Sequence, residues 1–224
     1  MIDLTKHLEF FDPERLHGKP VHIIGLGAIG SNLAETLTRL GIEEIHIYDF
    51  DTVDTPNIAN QVYYTHQLNK TKTEATMENI KLINPDANVI VHDKGWTEDT
   101  VLDGHVFMAV DSIEVRKKII ETNLFNPNII TMSDYRMRLT DAQHYLAKWD
   151  DIRQKDALKK ASDFTEEEAK EATPLSACGT TLSVYPTIKA IVALGIANWM
   201  YTIINNTNKT IIMLDTFVPN ILTN

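Results

Sequence analysis

The chain has 224 residues, 43% hydrophobic and 23% charged, with 31 acidic against 21 basic side chains and a formal net charge of −10. That is enough apolar material for one well-packed domain and excludes default disorder. The acidic balance, without a Lys/Arg cluster, argues against nucleic-acid binding, which draws its affinity from cations along the phosphate backbone.

The single cysteine, Cys178, excludes an intramolecular disulfide or a Cys-based zinc site and points to a reducing compartment. The first 14 residues lack the apolar core of a signal peptide. No run reaches the ~18 uninterrupted apolar residues of a membrane span. The expectation is a cytoplasmic protein that engages neither nucleic acid nor membrane.

In chain order, residues 21–24 form a short apolar run that ends at glycine, and Leu33, Ala34, Leu37 and Leu40 recur at helical spacing over residues 31–40. Gly41 ends that helix, and Ile45, Ile47 and Tyr48 open a second strand closed by Asp49 and Asp51. A helix is predicted over 72–83, stopped by Asn84-Pro85, then a strand over 88–92. Residues 106–110 read as a buried strand, 114–123 as a helix and 128–132 as another strand. Residues 137–149 are partly strand-like, and 150–172, charged and poor in apolar anchors, read as a solvated helical excursion or a mobile crossover. An apolar helix over 186–204 and a strand over 210–215 close the chain. This alternation predicts an α/β fold: a Rossmann-like, mainly parallel sheet with helices on both faces, extended by C-terminal strand and helix. Residues 18–134 form its Rossmann-like part and 135–224 its crossover and closing part, within one domain over 1–224.

Gly25-Leu26-Gly27-Ala28-Ile29-Gly30 fits G-x-G-x-x-G between a strand and a helix. Glycines there permit a tight turn and close approach of backbone to phosphate, and the first helical amides offer unpaired donors. Asp49 follows at the end of the next strand, where an acid accepts hydrogen bonds from ribose hydroxyls. Loop and acid alone do not separate a dinucleotide from a mononucleotide. Taken singly, Asn57 also reads as a turn residue after Pro56, Lys72 as a helix-surface charge and Asp111 as a helix cap.

Together, Tyr48-Asp49-Phe50-Asp51-Thr52-Val53, Asn57-Ile58-Ala59-Asn60-Gln61 and Lys72 resemble the ThiF/MoeB/HesA adenylyltransferases related to ubiquitin-activating enzymes, whose pattern reads D-x-D-x-V, N-x-x-R-Q and then lysine. Ala109-Val110-Asp111-Ser112 with Arg116, and Ser176-Ala177-Cys178-Gly179 ahead of the apolar helix, extend the resemblance to nearly the whole chain. It implies ATP-dependent adenylation of the C-terminal carboxylate of a ubiquitin-like or sulfur-carrier protein or peptide by a homodimer, with ATP and Mg2+ as cofactors and no zinc. It also implies that Gly25, Gly27, Ala28, Ile29, Gly30, Asp49, Asp51, Asn57, Gln61 and Lys72 bind the nucleotide. Lys72 would serve as phosphate cation, Asp111 would hold magnesium and Cys178 is a candidate nucleophile.

The chain departs from the pattern at Asn60, where the family carries arginine; an amide supplies neither the charge nor the bidentate geometry of a guanidinium. Arg116, Arg136 and Arg138 are candidates to replace that charge. The departure keeps a second reading open, a catalytically degenerate nucleotide-binding regulator or scaffold. A weaker third is an NAD-dependent oxidoreductase, for which no substrate domain or acid–base residue is evident.

Overall fold

The computed structural model describes residues 2–165, 167–168 and 182–224. One eight-stranded sheet runs in the order β3-β2-β1-β4-β5-β6-β7-β8. Its parallel half comprises β1 (Val21–Ile24), β2 (Glu44–Tyr48), β3 (Asn88–His92), β4 (Gly104–Met108) and β5 (Ile129–Met137). The antiparallel half adds β6 (Asp141–Lys148), β7 (Ile211–Asp215) and β8 (Asn220–Thr223). Helices α1 (Ala28–Arg39), α2 (Lys72–Ile83), α3 (Ile113–Thr122), α4 (Ile152–Ala161) and α5 (Tyr185–Asn205) pack on it.

Strand alternation divides the core by face. Val21, Ile23, Ile45, Ile47 and Phe107 point toward α1, α2 and α5, where Leu33, Leu37, Ile80, Ile191 and Trp199 meet them. Ile24, Tyr48, Val106 and Met108 point the other way, toward Ile119 and Ile120 of α3 and Leu158 of α4. Helix α5 has the length and composition of a membrane span, but half of its most apolar stretch is buried. Core packing accounts for its apolar character, and the absence of Asp, Glu or Arg along it follows.

Several boundaries differ from the sequence expectation. Helix α1 starts at Ala28 rather than 31, so the second half of the glycine motif is the helix's first turn. Strand β5 runs on to Met137 and pairs antiparallel with β6. Strand β8 was not anticipated: all four of its residues are exposed and show no alternation to read. The link from β3 to β4, residues 93–103, holds no helix. The second sheet face there carries a polar row instead: His22 lies tilted against His46 with ring centroids 4.4 Å apart, and His92 stacks on Tyr48 at 4.0 Å.

Candidate active site

The parallel order 3-2-1-4-5 places a switch point between β1 and β4, where connections leave in opposite directions and open a crevice at the strands' C-terminal ends. The glycine loop lies there. Gly25 N–H still donates to the Tyr48 carbonyl at 2.9 Å, and Ala109 N–H to the Ile24 carbonyl at 2.8 Å, so the strands separate only beyond these residues.

The three glycines do different things. Gly25 has φ +91°, and a Cβ there would lie 2.8 Å from the Ala109 carbonyl oxygen. A Cβ on Gly30 would come within 1.8 Å of the Gly25 carbonyl oxygen, so the helix closes onto the turn only with glycine there. Over Gly27 a Cβ would meet nothing within 4 Å; this is the open side of the loop. The first helical bond is Ser31 N–H to the Gly27 carbonyl at 3.1 Å, which leaves the amides of Ala28, Ile29 and Gly30 as the unpaired, electropositive first turn.

Asp49 is buried at the end of β2. Its Oδ2 accepts from Leu26 N–H at 2.6 Å and its Oδ1 from Asp51 N–H at 2.8 Å, so it splints the glycine loop to its own strand end. Residues 51–53 then run against residues 69–72: Lys72 N–H donates to the Asp51 carbonyl at 2.9 Å, and Val53 N–H to the Lys70 carbonyl at 2.8 Å. That pairing sets the first residue of α2, Lys72, beside β2, with its buried Nζ 2.7 Å from Asp51 Oδ2. Phe50, between the two acids, is 76% exposed and rests over Gly95.

The N-x-x-N-Q segment forms a 3-10 turn, Thr55–Ala59. Asn57 Oδ1 accepts from Asp54 N–H at 2.9 Å, so in this state its side chain caps that turn. Asn60, at the place of the family arginine, donates from Nδ2 to Ser183 Oγ at 2.6 Å and so ties the turn to the entry of α5. Asn60 Oδ1 and Gln61 Oε1 are buried with no hydrogen-bond partner among the described residues. Asp111 stands exposed beyond the end of β4, clear of hydrogen bonds and ion pairs among the described residues. Cys178 lies outside the described residues.

Two of the three arginines suggested as replacements for the missing charge are committed elsewhere. Arg116 is buried, paired through Nη1 with Asp134 and bonded through Nη2 to the Val110 carbonyl. Arg136 reaches the other oxygen of Asp134 at 2.8 Å and also bonds the Ala161 carbonyl and Ser162 Oγ at the end of α4. Arg138 lies 3.8 Å from Asp141 at the surface.

Tyr63 was overlooked in the sequence, where it reads as one more apolar position after the Asn-Gln turn. Its hydroxyl donates to the Leu26 carbonyl at 2.8 Å and stands 3.1 Å from Thr76 Oγ1 on α2. Burial pushes this phenol well above its ordinary range, so it stays a neutral donor.

Comparison with known proteins agrees with this geometry. The chain is 36% identical over 80 residues to ubiquitin-like modifier-activating enzyme 5 of Caenorhabditis elegans, a match covering 36% of the chain and 19% of that protein. The same enzyme of Arabidopsis thaliana is 41% identical over 73 residues, covering 33% of the chain and 17% of the relative. The chain therefore matches only about a fifth of the length of these relatives. Among solved structures, PaaA superposes with a TM-score of 0.72 at 17% identity, over 95% of this chain and 65% of that one. Escherichia coli MccB with ATP gives 0.66 at 18% identity, over 95% and 65%. These show a shared fold. The model of the ThiF family matches residues 10–221, and the chain belongs to that family.

Proposed function

We propose that this chain is an ATP-dependent adenylyltransferase that activates the C-terminal carboxylate of a ubiquitin-like or sulfur-carrier protein or a peptide. The observation that carries the reading is the placing of open helix-N-terminal amides at the β1/β4 crevice, with Lys72 brought to the same edge by the pairing of residues 51–53 with 69–72. Such a site holds a polyphosphate by backbone donors, a helix dipole and one cation. MccB, solved with ATP and with MccA, supports the class by fold.

The local charge balance then matters. Asp49, Asp51 and Asp111 face a nucleotide tetra-anion with Lys72 as the one cation at the site among the described residues, and Lys72 is itself paired with Asp51. Magnesium fits Asp111, a hard, exposed carboxylate free of partners, although among the described residues no group of three or more ligands encloses a metal. Asp111 would hold the ion together with nucleotide phosphates, and the bound ion would neutralise charge on the phosphates. The chain's own part is positioning: Asp49 shapes the loop and offers its remaining lone pairs to ribose, and Lys72 exchanges Asp51 for phosphate.

The test is magnesium-dependent ATP–pyrophosphate exchange with candidate acceptors bearing a free C-terminal glycine. Acceptor-dependent exchange that falls on the order of a hundredfold or more in Asp111→Ala is the expected result. A folded chain that binds NAD in preference to ATP sinks the reading.

The commitment of Arg116 and Arg136 to Asp134 favours a second reading, a nucleotide-binding homologue without turnover, because neither guanidinium is free to replace the charge absent at Asn60. Asn60→Arg separates the two. Higher exchange supports a weakened enzyme, and unchanged exchange in a folded, ATP-binding variant supports a regulator or scaffold.

A further inference from the structure

Leu26, the second residue of the glycine motif, is held from both sides. Asp49 takes its N–H at 2.6 Å and the Tyr63 hydroxyl takes hold of its carbonyl at 2.8 Å. In a trans peptide the carbonyl of one residue and the N–H of the next point in opposite directions. With the Leu26 carbonyl turned inward to a buried tyrosine, the N–H of Gly27 is turned outward, to the side where a Cβ on Gly27 would meet nothing within 4 Å.

The hydroxyl has one proton, and the Leu26 carbonyl can only accept, so Tyr63 accepts in turn from the Thr76 hydroxyl at 3.1 Å. Thr76 lies one turn beyond Lys72 on α2, and the Tyr63 oxygen stands 3.5 Å from the Lys72 carbonyl. One phenol therefore links the loop that offers amides to the helix that offers the ammonium. Packing does not call for this oxygen: the ring belongs to a small cluster with Val53 and Ala75, which phenylalanine would complete equally well.

We propose that Tyr63 is a positioning residue for the nucleotide's phosphates, fixing the Leu26–Gly27 peptide and the start of α2 relative to each other. The inference rests on the nucleotide reading above. It predicts a discrimination by ligand: ATP reaches the Gly27 amide and Lys72 through its phosphates, whereas adenosine has none and reports only the base and ribose.

The experiment compares affinities for magnesium–ATP and for adenosine in the wild-type chain and in Tyr63→Phe, with thermal unfolding as a control. Tyr63→Phe is expected to bind ATP about five- to tenfold more weakly, the worth of one positioned hydrogen bond, with adenosine affinity unchanged. Equal ATP affinity in the two proteins, or parallel losses for both ligands, overturns the proposal. A wild-type chain that binds neither ligand overturns the nucleotide reading and this inference with it. Thr76→Val against Thr76→Ser repeats the comparison should Tyr63→Phe fail to fold. Valine is expected to weaken ATP selectively and serine, which keeps the hydroxyl, to preserve it; equal behaviour of the two overturns the link to α2.

Discussion

At the scale of single residues, the glycine motif separates positions where packing demands glycine from one where it does not. Gly30→Ala forces a Cβ into the Gly25 carbonyl and is expected to cost several kcal/mol or prevent folding. Gly27→Ala meets open space and is expected to shift the melting temperature by only a few degrees while weakening ATP binding, since its methyl occupies the side from which phosphate approaches. Thermal melts and ATP titrations of the two variants check this; a Gly27→Ala chain that unfolds as readily as Gly30→Ala would refute it. The motif was legible because its glycines follow an apolar run and precede a helical repeat. That Asp49 and Lys72 belong to one site with the loop was readable only from their joint spacing. Their present partners, Leu26 N–H and Asp51, depend on how β2 and α2 fold back on the loop, and no local pattern encodes that. Tyr63 was illegible for the same reason, since its hydroxyl acts on a carbonyl 37 positions earlier.

At the scale of elements, apolar runs and breakers marked the parallel strands and helices α1, α2, α3 and α5, since each buries one face and stops at a recognisable signal, whereas α4 buries only Leu158 and offered no such pattern. What escaped was decided by long-range pairing: the continuation of β5 into the antiparallel half, and β8. The charged stretch after residue 150 resolves partly into α4, which is tied to β5 by Arg136. Asp134 is the hinge of that arrangement. Fully buried, it receives Arg116 from α3 and Arg136 from its own strand, and the Arg136 guanidinium lies 4.6 Å from the Tyr145 ring centre on β6. Asp134→Asn keeps the shape but leaves the buried Arg116 and the partly buried Arg136 guanidinium groups without a counter-charge, so a loss of about 3–5 kcal/mol is expected by urea unfolding. A loss below about 1 kcal/mol would show that water reaches these groups and that the network does not hold α3 and α4 to the sheet.

At the scale of the molecule, three buried histidines make stability depend on pH in a calculable direction. Burial lowers His22 to about 4, further depressed by His46 and His92 and partly restored by Asp103. Burial alone lowers His105 to about 4 and His144 to about 3. His105 Nδ1 lies 3.2 Å from the Trp199 indole N–H, which can only donate, so a proton on that nitrogen would oppose the bond. Neither ring nitrogen of His144 has a hydrogen-bond partner among the described residues. All three are thus neutral in the fold and take up protons readily once unfolded. Their stabilising effect is whole above pH 6.5 and is lost as pH falls from 6.5 toward 4, at about 1.4 kcal/mol per pH unit per histidine. His144→Leu removes one of these groups and an unpartnered imidazole while roughly keeping its volume. Urea unfolding at pH 7.5 and pH 5.0 is expected to show the variant at least as stable as the parent at the higher pH, with the difference between the two pH values smaller by about 2 kcal/mol. An unchanged pH difference would mean that His144 titrates normally in the fold, and the partner-free burial between β5, β6 and α5 would then have to contain water.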